Sequence, residues 1–175
     1  MDADAINRAL RRVAHEIIER NPDLSLVVLA GIPSRGVEIG QRLAGIIESL
    51  ARTAVGTGVI DVSMHRDDVG KRAELPRVQV SSLPLPLENK TVIIVDDVFF
   101  TGRTARAAMD AISSFGRPAR IQLAALIDRG HRELPIRVDY VGKNLPTAAG
   151  ERVRLRLQNV DGEPDAVWLI KEDKA

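Results

Sequence analysis

Apolar positions along the chain switch between two spacings. In residues 5–20, Leu10, Val13, Ala14 and Ile17 recur at helical spacing and form one stripe, which predicts an amphipathic helix. Residues 24–30 are nearly continuous in apolar side chains, the mark of a buried strand. A glycine-bounded loop over 31–36 and a second helix over 37–51 follow, then a strand over 59–64. From His65 to about Pro86 the periodicity gives way to charged residues and prolines, and a long irregular stretch of this kind is usually a functional or mobile loop. Order returns with a strand over 91–95 and a helix over 101–115, stopped by Gly116 and Pro118. Residues 120–126 and 138–142 read as further strands. Residues 153–157 and 166–170, separated by Asp161-Gly162, read as a terminal hairpin. Helical and extended segments in alternation predict an α/β fold with a central, mainly parallel sheet flanked by helices. No repeat, low-complexity tract or linker interrupts it, so residues 1–175 are expected to form a single domain.

Composition narrows the picture in three respects. Aromatics make up 3% of the residues against 45% hydrophobic overall, so the core must be built by aliphatic packing. The chain has no cysteine, which excludes disulfides and thiolate metal sites. No apolar run approaches membrane-spanning length and the N-terminus lacks a signal-peptide core, so a cytoplasmic location is the expectation. With a formal net charge of +1, nucleic-acid binding would require a local basic face.

Candidate chemistry concentrates in residues 92–104. Four apolar residues, Val92 to Val95, end at two adjacent carboxylates, Asp96 and Asp97. Val98, Phe99 and Phe100 lead into Thr101, Gly102, Arg103 and Thr104, where a helix begins. In an open parallel sheet ligands bind beyond the carboxyl ends of the strands, and the amides opening the next helix form an anion site. Gly102 lets backbone approach a phosphate, Thr101 and Thr104 supply hydroxyls, and Arg103 adds charge. The paired carboxylates suit ribose hydroxyls or a hard cation such as Mg²⁺. If the strand persists through them they lie on opposite faces, whereas at a frayed end both can turn toward a ligand. The segment is therefore a site for a phosphorylated sugar.

Other segments offer related chemistry. Pro33, Ser34, Arg35 and Gly36 repeat the strand–loop–helix arrangement, presenting amides and a guanidinium to a second anion. His65, Arg66, Asp67 and Asp68 open the irregular segment and would sit on a lid that excludes water. The run from Asp128 to Pro135 lies beyond another strand, where a base pocket could form; His131 within it is an acid–base or an RNA-contact candidate. On the first helix, Arg8, Arg12 and His15 share a face able to meet RNA phosphates, balanced by nearby acids.

Residues 92–104 resemble the phosphoribosyl-pyrophosphate (PRPP) motif of type I phosphoribosyltransferases. Residues 9–19, 59–68, 92–117 and 128–144, with Pro146-Thr147, further resemble the PyrR family, pyrimidine operon regulators that are also uracil phosphoribosyltransferases. The run Asp-Arg-Gly-His-Arg-Glu-Leu-Pro-Ile-Arg is distinctive of that family. The resemblance implies a type I phosphoribosyltransferase fold with a mobile lid over about 65–86 and a small hood. It implies that Asp96 and Asp97 hold ribose hydroxyls, Thr101 to Thr104 the 5′-phosphate, and Pro33 to Gly36 the pyrophosphate with Mg²⁺ and Arg66. Asp97 would assist deprotonation of uracil or stabilise a cationic ribose. It implies binding of an mRNA leader, strengthened by UMP, through Arg12, Arg20, His131, Arg132, Arg137 and Lys143, and assembly into a homodimer or larger homo-oligomer. The chain departs from the family at Pro33 and Ser34, where a basic residue and Thr are common, and at His65 and Phe100, where Tyr is frequent. Arg11 replaces a small hydroxyl residue. The alternatives are a nucleotide-sensing RNA regulator with weak or no transferase activity, a transferase for another base, and, less favoured for want of a helix-turn-helix, a PRPP-sensing DNA regulator.

Overall fold

Near-continuous apolar runs such as Val27-Val-Leu-Ala-Gly31 need cover on both faces, which a parallel sheet between helical layers provides. The structure, a computed structural model, describes residues 1–63, 80–148 and 150–171. The strands β1 (Val27–Gly31), β2 (Gly56–Val59), β3 (Thr91–Phe99), β4 (Arg120–Asp128) and β5 (Tyr140–Asn144) form one sheet in the order β2-β1-β3-β4-β5. Every neighbouring pair is parallel.

The helix α1 (Ala3–Arg20) starts where the Asp2 carboxylate accepts the Ala5 amide at 2.8 Å. Its apolar stripe, Ile6, Leu10, Val13 and Ile17, packs with Ile39, Leu43 and Ile47 of α2 (Arg35–Ala51) over one face of the sheet. The helix α3 (Arg103–Ser113) covers the other face, where Ala105, Ala107, Ala108 and Ala111 allow close approach to Val92, Ile94 and Leu123. At the chain's C-terminal end, β6 (Glu151–Arg156) and β7 (Ala166–Lys171) make a separate antiparallel pair, the expected hood.

Several boundaries differ from the sequence expectation. Residues 24–26 form a 3₁₀ turn, because Asp23 accepts the Ser25 amide at 3.0 Å, and β1 starts only at Val27. The strand expected over 59–64 lies earlier, at Gly56–Val59, and Met64 falls outside the described residues. Its glycines hid it from any hydrophobic pattern, yet the fold requires one of them: a Cβ on Gly58 would lie 2.5 Å from the Ser82 carbonyl oxygen. That contact falls in the stretch expected as a lid: Ser82 bridges Val59 and Leu83 is buried against the α3 core, as is Leu87 just beyond it. His65, Arg66, Asp67 and Asp68 lie outside the described residues.

The helix expected from 101 begins at Arg103, since Gly102 at φ +92° breaks the helical path. β4 continues to Asp128, and β5 runs over 140–144 instead of 138–142, because the Asp139 carboxylate turns back to accept the Leu123 amide at 2.8 Å. The terminal strands do pair, but not through a tight Asp161-Gly162 turn. A one-turn helix, α4 (Gln158–Asp161), lies between them and ends at Gly162, whose φ is +70°.

Candidate active site

Leaving β1 the chain enters α2 on one face of the sheet, and leaving β3 it enters α3 on the other. The two central strands thus part at their carboxyl ends, the place where open α/β sheets form a ligand crevice. Residues 32–34 and 100–102 flank that crevice.

The first loop is pressed onto β3. The Ile32 amide donates to the Val95 carbonyl at 2.9 Å, and a Cβ on Gly36 would approach the same oxygen to 2.4 Å. A Cβ on Gly31 would meet the Val37 backbone at 2.4 Å, so glycine is required at both ends of the turn. The Pro33–Ser34 peptide is cis. Ser34 stands at the N-cap of α2 but makes no capping bond, which leaves the first-turn amides for an anion.

β3 persists through the carboxylate pair to Phe99, so neither aspartate sits at a frayed end. Val98 packs toward the α1–α2 core lined by Ile93 and Val95, while Phe99 joins the α3 core, so strict face alternation is lost across Asp96 and Asp97. Asp96 is buried, with one carboxylate oxygen accepting the Asp97 amide at 2.9 Å. Asp97 is more open, accepts the Val98 amide at 2.8 Å through Oδ1, and turns Oδ2 to 3.7 Å from the Arg35 guanidinium.

Arg35 itself is held from across the chain. Its Nε and Nη2 donate to the two Asp161 carboxylate oxygens at 3.0 and 2.7 Å. Asp161 also accepts Arg156 Nη1 and the Leu157 amide, each at 2.8 Å. These donors, Arg35 first, hold the Asp161 carboxyl far below the usual carboxylate range, and the pairing raises the Arg35 pKa.

The second loop is buttressed by the segment after β4. The amides of Glu133 and Leu134 donate to the Thr101 carbonyl at 2.9 and 3.2 Å, and Arg103 pairs with Glu133 at 2.8 Å. Thr101 Oγ1 accepts the Arg103 amide at 3.3 Å, and Thr104 lies in the first turn of α3. The Phe99 ring is buried, under the Arg132 guanidinium at 5.9 Å. Phe100 is 40% exposed, carries the Arg129 guanidinium 4.1 Å above its ring, and meets His131 edge-on at 5.8 Å. His131, at φ +61°, turns its Nε2 to the Thr147 carbonyl at 2.5 Å.

The remaining basic candidates fall into two groups. Arg12 reaches the Val141 and Gly142 carbonyls at 2.8 and 2.7 Å, and Arg20 stacks over Tyr140 at 5.3 Å, so both line β5, which also carries exposed Lys143. Arg132 pairs with buried Asp128 at 2.6 Å, and exposed Arg137 flanks a groove beside Met109 of α3.

Missing from the sequence candidates is the hood wall of the cleft. A cavity of about 310 Å³ opens between Asp97, Val98 and Arg35 on one side and Arg152 to Arg156 with Ile170 on the other. The alternation of arginine with Val153 and Leu155 was the available signal, since period two puts the arginines on one face.

Residues 2–158 match the family model described as a phosphoribosyl transferase domain. The chain is 56% identical over 169 residues to the bifunctional protein PyrR of Chloroflexus aurantiacus, spanning 97% of this chain and 93% of that protein. It is 52% identical over 171 residues to the bifunctional protein PyrR of a Roseiflexus strain, spanning 98% and 93%. Its fold matches the crystal structure of the hypoxanthine phosphoribosyltransferase of Trypanosoma cruzi with a TM-score of 0.72 at 20% identity, covering 97% of this chain and 94% of that one. A hypoxanthine phosphoribosyltransferase from Staphylococcus aureus matches with a TM-score of 0.64 at 21% identity, over 83% and 76%.

Proposed function

The chain belongs to the PyrR family of phosphoribosyltransferases, and from that premise we propose that it joins uracil to PRPP, releasing pyrophosphate and forming UMP, and that UMP tunes its binding to an mRNA leader. The observation carrying the transferase assignment is the convergence of two glycine-built anion loops on Asp96 and Asp97 at the point where the central strands part.

The 5′-phosphate lies against the first turn of α3 with Thr101 and Thr104, and the ribose hydroxyls lie against Asp96 and Asp97. The pyrophosphate lies against the amides at the start of α2 beside Arg35, and Arg66, outside the described residues, adds charge from the lid. Uracil enters between Asp97 and the hood. Among the described residues no group of three or more acidic or histidine side chains could hold a metal ion unaided. The carboxylate pair does suit a Mg²⁺ carried in by phosphate oxygens, since that ion usually keeps waters and takes one or two carboxylates. When bound, Mg²⁺ neutralises charge on the leaving pyrophosphate.

Uracil N1 attacks the anomeric carbon as the bond to pyrophosphate breaks. The protein holds donor and acceptor in line and places Asp97 where it receives the N1 proton or faces the cationic ribose. A base panel assayed with PRPP and Mg²⁺ on wild type and Asp97→Asn tests this. Uracil-dependent pyrophosphate release is expected, falling about 100-fold in the variant, in line with the loss of a positioned proton acceptor. Turnover confined to a purine would reassign the base; no turnover with any base, alongside UMP-dependent RNA binding, would leave only the regulator.

Regulation draws on the basic residues near β5 and in the segment after β4. That segment touches both Thr101 and Phe100, and these contacts are the route by which occupancy of the phosphate loop would bear on the position of His131 and Arg132.

A further inference from the structure

The hood carries a carboxylate whose bonding goes beyond holding two strands together. Asp161 lies 126 residues from Arg35 in sequence, its side chain is only 8% exposed, and it takes both Nε and Nη2 of that arginine. A bidentate guanidinium–carboxylate pair fixes the plane of the guanidinium as well as its position. With its Nε–Nη2 edge committed, Arg35 presents Nη1 toward the cleft, where Asp97 stands 3.7 Å away. The same carboxylate takes Arg156 at 2.8 Å, and Arg156 in turn lies 3.4 Å from Glu163, so Asp161 is held from two sides while it grips Arg35.

We propose that Asp161 is a positioning residue of the active site: it orients Arg35 so that one guanidinium edge faces the pyrophosphate of the bound donor. The proposal rests on the transferase assignment above. Without Asp161 the Arg35 side chain would be free to swing and to close the 3.7 Å gap to Asp97, which would weaken the anion site. α4 is thereby part of the donor site although it touches no reacting atom.

A double-mutant cycle decides the matter, read as Mg²⁺–pyrophosphate binding by calorimetry to wild type, Asp161→Ala, Arg35→Ala and the double variant. Asp161→Ala is expected to weaken binding about tenfold, a loss of about 1.4 kcal/mol. Arg35→Ala should weaken it at least as much, and the double variant no more than Arg35→Ala. In turnover the loss should appear in KM for PRPP while KM for uracil stays unchanged, because collapse of the hood would raise both. Asp161→Asn keeps an acceptor oxygen and should lie between wild type and Asp161→Ala; it serves the same cycle if the alanine variant does not fold. Additive losses, unchanged affinity in Asp161→Ala, or parallel rises in both KM values would overturn the proposal while leaving the transferase assignment standing. Wild-type protein that binds no pyrophosphate would overturn both.

Discussion

Gly36 shows how little room a single position has at this site. Its Cα faces the Val95 carbonyl so closely that any side chain would drive the α2 N-terminus off β3. Gly36→Ala is expected to cost about 1–3 kcal/mol of stability by overpacking, measured by urea denaturation, and to weaken pyrophosphate binding in the same preparation. Phe100 works in the opposite direction, as a half-exposed ring that holds Arg129 on its face and His131 at its edge. Phe100→Ala should cost about 0.5–2 kcal/mol, the range of one cation–π contact, and should lower RNA affinity more than turnover if the ring links the phosphate loop to the His131 segment. Equal losses in both assays would break that link.

Between elements, the hood is fastened to α2 by ion pairs as well as by apolar contact. Arg42 joins Glu38 to Asp165 at the head of β7, Asn159 donates to Glu38 at 2.8 Å, and Asp165 also accepts the Gln158 amide at 2.8 Å. The bond from Arg42, above all, lowers the Asp165 pKa, as Arg35 lowers that of Asp161. Groups depressed on folding contribute their stability above the unfolded value of about 3.9 and lose it as pH falls toward the folded value. Thermal melts should therefore drop steeply below about pH 4, and Asp165→Asn should flatten that acid limb while costing about 1–3 kcal/mol at pH 7. An unchanged acid limb would mean that other carboxylates dominate.

At the scale of the whole molecule, charge separates the two proposed activities. The net charge of +1 leaves RNA binding to a local set of cations near β5 and the segment after β4. Arg137→Ala and Lys143→Ala, both at exposed positions, should each reduce the slope of log affinity against log salt by about one, without altering uracil turnover. Filter binding with and without UMP across a salt series would read both effects. A slope that stayed constant would move the RNA surface elsewhere.

What could be read directly from the chain were the features set by neighbouring residues. The apolar runs, the glycines at strand ends, the carboxylate pair and the threonine–glycine turn each impose a backbone or a polarity within a few positions, so the parallel sheet and the two glycine-bounded loops at its strand ends were legible. β2 was misplaced because Gly56 and Gly58 carry no hydrophobic signal, and only the approach of Ser82 explains the glycine at 58. The anchoring of Leu83 and Leu87, the clasp of Asp161 on Arg35, the arginine-lined hood and the turn of His131 toward Thr147 depended on the tertiary path. The reason is physical: local sterics and periodicity act over a handful of residues, whereas the partner of a charged or apolar side chain is chosen by which distant segment folding brings within a few ångströms.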